Sequence, residues 1–276
     1  TTSRVLFGSD RLGLAVVVVS MCTLFIPLSA TVFTPDPPLL LFWSLILLAM
    51  AKLLRTGHAK WWYVAGAALG LAMLSKYSAV LILPGIFAWL VLSDERRRWL
   101  FTPHPYLAVM VGLAVFSPVI LWNAQHEWAS FAFQSSRRFG AMNAFRPRYF
   151  FQLLASQAGL LSPYILLATL MGWGWAGIHW WRTRDDRFAL LFWLAAPVYA
   201  LFTATSFRYM VKMNWMLPAY VSSLIAAAAW LTYSTGRVAA LFRKLVKPGL
   251  VLGLLLVLAA HIFPLAPFVP LGRHDT

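Results

Sequence analysis

The sequence predicts an all-α polytopic membrane protein, a single transmembrane helical bundle of about nine spans. Three observations carry that expectation. Hydrophobic residues make up 61% of the 276 and charged residues only 11%, where a soluble domain is roughly half apolar and a quarter charged. Apolar runs of about 17–25 residues, the length that crosses a bilayer as a helix, recur along the chain. Barrel strands would instead alternate in segments of about ten residues.

The elements follow in order. The first span is expected at about 12–31; no clear small-residue cleavage pattern follows it, so it reads as a permanent helix rather than a signal peptide. The second, at about 38–54, starts behind Thr34-Pro35-Asp36-Pro37-Pro38, where proline suits a first helical turn. Spans at about 61–75 and 79–93 are short and flank a tight turn at Ser75-Lys76-Tyr77-Ser78. They are either tilted or joined below the membrane surface. A fifth span is expected at about 105–122. Residues 123–149 form the one long connection, an external loop with one or two interfacial helices, because Trp128, Phe131 and Phe133 suit the headgroup level. The remaining spans are expected at about 151–180, 188–205, 214–232 and 248–268. The chain has no internal repeat and no soluble domain.

The net charge of +15 does not point to nucleic acid, because the basic residues lie in short loops between apolar runs and orient the chain against the bilayer and its anionic lipids. Setting Arg4 and Arg11 inside puts 15 of the 23 basic residues on that side. Lys76, Arg137, Arg138, Arg146, Arg148, Arg208, Lys212 and Arg273 fall outside. Cys22 is the single cysteine, so no disulfide framework or thiolate metal site is expected, and the histidines show no metal-ligand spacing.

Asp36 stands apart among the eight acidic residues, most of which sit beside arginines on the inner side. From spacing alone it is a helix cap, Asp before Pro being a common helix start, or a working carboxylate. The outward basic residues are a candidate phosphate cradle, with Arg bidentate and Lys a compact point charge. Within it, Arg208 and Lys212 would share one face if their segment is helical. The competing reading is ordinary pairing with phospholipids. Lys76 in the middle of a hairpin would be costly as an isolated charge, about 2.5–3.5 kcal/mol on insertion scales. Glu127, beside His126, is the other outward acid and reads on spacing as a solvated loop residue.

Four strings then resemble one family. Thr34-Pro35-Asp36-Pro37-Pro38-Leu39 with Phe42-Trp43, Gly70-Leu71-Ala72-Met73-Leu74-Ser75-Lys76-Tyr77, Asn123-Ala124-Gln125-His126-Glu127-Trp128 followed by Ser130-Phe131 and Arg137-Arg138, and Asn214-Trp215 with Pro218-Ala219-Tyr220 are similar to segments of bacterial family 39 glycosyltransferases. These are protein-mannosyltransferase-like enzymes of the GT-C type, related to the lipid A aminoarabinose transferases. The resemblance implies a membrane glycosyltransferase of the bacterial inner membrane with a periplasmic active face. Such an enzyme moves a sugar from a polyprenyl-phosphate donor to a lipid A, glycan or protein acceptor.

It also implies site residues: Asp36 as the catalytic-site carboxylate, and Lys76, His126, Glu127, Arg137, Arg138, Arg208, Lys212, Asn214, Trp215 and Tyr220 for substrate binding. The family's best candidate for the base lies in a first external loop that has no counterpart in this sequence. The chain is therefore expected to be an N-terminally truncated piece in which Asp36 supports the site rather than taking the proton. No cofactor is expected beyond the donor, and metal dependence is left open. The alternatives are a transporter or flippase for an anionic lipid-linked substrate, disfavoured by few buried charges and no inverted repeat, and a non-catalytic membrane subunit.

Overall fold

A computed structural model describes residues 1–24, 26–27, 34–139 and 145–262, with the backbone alone given at 135–139. Among these residues the chain is entirely helical. The α-helices are α1 (Thr2–Phe7), α2 (Asp10–Met21), α3 (Asp36–Thr56), α4 (Lys60–Ser75), α5 (Ile82–Leu92), α6 (His104–Gln125), α7 (Ala129–Phe139), α8 (Arg148–Leu161), α9 (Pro163–Thr183), α10 (Asp186–Ser206), α11 (Leu217–Tyr233) and α12 (Arg237–Ile262). Short 3-10 turns lie at Tyr77–Leu81, Arg97–Phe101 and Met213–Met216.

Helices α3, α6, α10 and α12, and α11 together with its leading turn, are long and apolar enough to cross a membrane. The pair α8–α9 makes a sixth crossing if its two bent halves are counted as one. Helix α4 has 16 residues, and Tyr77–Leu92 is likewise shorter than a full span.

The run at 151–180, read from sequence as one span, is broken. Its halves meet at 106°, because Ser162 adopts φ 69°, ψ 150° ahead of Pro163, which disfavours helical geometry in the residue before it. The Ser162 hydroxyl instead accepts from the Ile165 N–H and starts α9 afresh. The last helix departs from the 248–268 expectation in the other direction: it begins at Arg237 and runs through Pro248. The segment α1 was not anticipated.

The core centres on α3 and α11. Trp43, Ile46, Leu47 and Met50 of α3 are fully buried, and α11 is enclosed from Leu217 to Trp230, as expected of a helix apolar on all sides. Small residues set the close crossings, the usual solution where apolar association supplies no drive between helices in lipid. Gly66 and Gly70 of α4 lie against Ala108, Gly112 and Val115 of α6, and Gly172 of α9 lies against Ala227 of α11. A Cβ at Gly66 or Gly172 would strike backbone atoms of the neighbour.

These crossings sort the chain into two ends. Asp36, Lys76, Asn123, Ser206 and Asn214 stand at one. Thr56, Leu92, His104, Thr183 and Tyr233 stand at the other, with the ion pairs of Arg96, Asp185, Asp186 and Arg187.

Candidate functional site

Asp36 is the first residue of α3, not its cap. Pro35 occupies the cap position with φ −71°, and no side-chain capping bond forms. The spacing-based cap reading is therefore replaced: the carboxylate turns away from its own helix, although its place in the first turn still suits the helix dipole. One oxygen, Oδ1, accepts from Lys76 Nζ at 2.8 Å, and the other, Oδ2, accepts from Asn214 Nδ2 at 2.7 Å. The Asp36 side chain is 3% exposed and that of Lys76 20%.

Each partner is delivered by a break in a helix. Lys76 is extended, at φ −160° and ψ 129°, between α4 and the Tyr77–Leu81 turn. Asn214 sits in the Met213–Met216 turn ahead of α11. That turn is held from behind. Tyr220 donates its hydroxyl to Gln157 Oε1 at 2.8 Å, and Gln157 Nε2 donates to the Met213 carbonyl at 3.1 Å. The first contact is buried and the second part-buried, where polar pairs are strong when satisfied and costly when not.

Lys76 has three donor hydrogens, and its hydrogen bond among the described residues goes to Asp36. Lys76 lines a cavity of about 530 Å³ whose wall also includes Pro35, Tyr77, Ser130, Gln134, Phe202 and Trp215. A partly exposed cation, fixed by a buried carboxylate at the edge of a half-polar cavity, can receive an anionic group without leaving its own partner.

The far wall is fixed by Asn123, which is fully buried. Its Oδ1 accepts from the Ser130 N–H at 3.1 Å and from Ser130 Oγ at 2.7 Å. Because Ser130 spends its proton on Asn123, the 2.9 Å contact with Tyr77 is donated by the tyrosine. The Asn123 carbonyl further accepts from the N–H groups of His126 and Trp128. Glu127 and Trp128 both have positive φ, 52° and 57°, which is uncommon outside glycine and is sustained here by the bonds to Asn123. Helix α7 forms where an interfacial helix was expected, with Trp128 and Phe133 exposed and Phe131 on the Tyr77 ring at 5.3 Å between centroids.

The structure thus joins Asp36, Lys76 and Asn214 in one hydrogen-bonded cluster, from three strings up to 178 residues apart, and of the predicted residues Lys76 and Trp215 line the cavity beside it. Tyr220 supports that site from behind rather than lining it. His126 is exposed, stacked on Trp122 at 4.2 Å with Nδ1 at the Trp122 carbonyl, and Glu127 is exposed beside it; neither lines the cavity. Arg208 and Lys212 do not share a helical face, because α10 ends at Ser206 and Lys212 is extended; both are exposed, and Val211 between them is buried. The side chains of Arg137 and Arg138, and all of Arg273, lie outside the described residues.

Sequence reasoning missed Gln157, Ser130 and Tyr77 as working residues. The signal for Gln157 was available, since it is an amide inside an otherwise apolar run. Among the described residues no three His, Cys, Asp or Glu side chains converge as metal ligands.

Residues 1–122 match the family described as dolichyl-phosphate-mannose-protein mannosyltransferase. The lipid A galacturonosyltransferase RgtD of Rhizobium johnstonii is 31% identical over 209 residues, which is 75% of this chain and 43% of that protein. The chain spans less than half the length of this curated relative. No solved structure gives a significant match.

Proposed function

We propose, from the premise that the chain is a family 39-like glycosyltransferase of the GT-C type, that the Asp36–Lys76–Asn214 cluster is its lipid-phosphate subsite. In this reading the donor is a polyprenyl-phosphate sugar and the cavity beside Lys76 takes its phosphate. The relative acts on lipid A by name, which favours a lipid among the possible acceptors. The charge bias of the loops favours a periplasmic active face.

The chemistry is a displacement at the anomeric carbon. The acceptor oxygen bonds to that carbon, the bond from the carbon to the phosphate oxygen breaks, and its electron pair leaves with the polyprenyl phosphate. Lys76 Nζ stands where that growing charge needs a donor, a term worth about 10²–10³ in rate when one such donor is removed. Asp36 has both oxygens engaged, so its part is to hold the ammonium charged and oriented; it is a positioning residue. The acceptor's proton goes to a base outside this cluster.

The observation that carries the reading is the 2.8 Å contact of Lys76, a residue of the cavity wall, with the buried carboxylate of Asp36 behind it. Its test is sugar transfer from a labelled polyprenyl-phosphate sugar by purified protein in nanodiscs. Lys76→Met in an Asp36→Asn background leaves no unpaired buried charge. It is expected to insert and fold while turnover falls about a hundredfold. Asp36→Asn and Lys76→Met together with unaltered turnover would remove the subsite.

A further inference from the structure

A second cavity, of about 420 Å³, lies between α2, α9, α11 and α12. It belongs to the opposite end of the bundle from Asp36, since Thr232 and Arg243 border it near the end of α11 and the start of α12. Its wall is otherwise almost wholly apolar, including Val16, Ile165, Ala168, Leu224 and Leu231. Helix α12 closes one side of it with Phe242, Leu245, Val246 and Leu250, while its other face is largely uncovered, 11% of its spanning window being buried.

At its mouth Arg243 is held rather than free to sweep. Nη1 donates to the Leu231 carbonyl at 2.8 Å and to the Ser234 carbonyl at 2.9 Å, closing the end of α11. That uses both Nη1 hydrogens and leaves Nε and Nη2 without a partner among the described residues. Arg237, Lys244 and Lys247 stand on the same end of α12, all exposed, as neighbours in sequence rather than lining residues of the groove. No acidic residue occurs between Arg187 and Arg273, so nothing on this stretch of sequence neutralises the four cations.

From this we infer a binding site for one anionic glycerophospholipid, with an acyl chain in the groove and the headgroup phosphate on Arg243. Charge complementarity selects the occupant. A second copy of the chain seated on the groove would bring Arg243 against its own counterpart, while a zwitterionic lipid would add a cation of its own beside it. A guanidinium preset by two carbonyls suits a phosphate, since its remaining N–H groups form a fixed fork. Each neighbouring cation adds attraction to an anionic headgroup, and the chain segment matches the groove by apolar burial. The site is independent of the Lys76 cavity and of the sugar-transfer reading.

Native mass spectrometry of the purified protein, released from nanodiscs of equal phosphatidylglycerol and phosphatidylcholine, tests this. One retained phosphatidylglycerol per chain is expected, at least fivefold over phosphatidylcholine. Ala228→Phe fills the groove wall, and Arg243→Gln removes the one cation that borders the groove. Each is expected to lower retention at least fivefold with sugar transfer unchanged. Equal retention of the two lipids overturns the site, as does phosphatidylglycerol retention that both variants leave intact. A dimer mass that Ala228→Phe dissociates overturns it in favour of a second copy.

Discussion

The two ends of the bundle each carry a well-shielded ion pair, and the pairs are built in opposite ways. At one end a single carboxylate, Asp36, has both oxygens consumed by groups from different helices, and the cation has donor hydrogens to spare at a cavity wall. At the other, Arg96 bridges two carboxylates. It donates Nε to Asp186 and Nη2 to Glu95, both at 2.9 Å, and its side chain is 12% exposed. There the charges form a network, since Asp94, Glu95, Asp185 and Asp186 share one site with Arg96, Arg184 and Arg187. A surplus of donors beside a cavity is suited to an anionic ligand. Carboxylates and arginines that answer one another within one network are suited to stapling the 93–96 turn to the start of α10. Burial alone would not separate them; whether the pair stands alone beside a cavity or inside a network of opposite charges does.

The largest effect expected from this contrast is that of Asp36→Ala. It leaves Lys76 beside a shielded space with no counter-charge, and breaking a buried pair from one side costs about 3–5 kcal/mol. Thermal unfolding in detergent should show that loss together with near-background sugar transfer. Adding Lys76→Met to the same chain should restore most of the stability and none of the transfer. A double variant no more stable than the single would mean the two groups are not energetically coupled, and the first half of the comparison would fail.

Arg96→Ala probes the other end. It strips Asp186, 13% exposed, of its partner, and a stability loss of about 3 kcal/mol is expected. The KM for the lipid-linked donor should not move, because the staple is remote from the Lys76 cavity. A large rise in that KM with intact folding would make the two ends a single functional unit rather than a site and a clasp.

Asn214→Leu sharpens the first end by removing only the neutral donor. The hydrogen bond it loses is to a charged group, a class worth about 1.5–3 kcal/mol. Lys76 remains paired, so transfer should drop about tenfold rather than vanish. If the loss equals that of Asp36→Ala, the amide rather than the ion pair organises the cavity.

Much of this arrangement was legible in the sequence, and the boundary of what was legible has a physical cause. Apolar run length and loop charge gave the all-helical membrane class, because water, lipid and backbone hydrogen bonding leave few other solutions. The strings holding Asp36, Lys76 and Asn214 were recognisable one by one. Their meeting was not, because it depends on Lys76 and Asn214 standing at breaks between helices, which hydropathy does not encode. The same limit hid the break at Ser162, where a single residue at φ 69° outweighs an unbroken apolar run. It also made Arg208 and Lys212 look like one face, since their spacing is helical but their backbone is not. Glu127 and His126 were near enough in sequence to the site to be grouped with it, and a strained turn sends both outward.

The smallest expected effect is also the control for the second end. Arg97 neighbours Arg96 in sequence but reaches Asp94 only at 3.5 Å, with side chains 51% and 85% exposed. In high dielectric such a pair gains little over its two hydrated ions and loses side-chain freedom in forming, so it contributes about 0–1 kcal/mol. Arg97 also donates Nε to the Val91 carbonyl at 3.0 Å at the end of α5, a charge placed favourably for the helix dipole and worth about 0.3–1 kcal/mol. Arg97→Ala should therefore lower stability by about 1 kcal/mol, and the loss should shrink as salt is raised. A cost matching that of Arg96→Ala, or one indifferent to salt, would show that the whole 94–97 turn acts as one clasp and that the shielding of Arg96 is not what distinguishes that end.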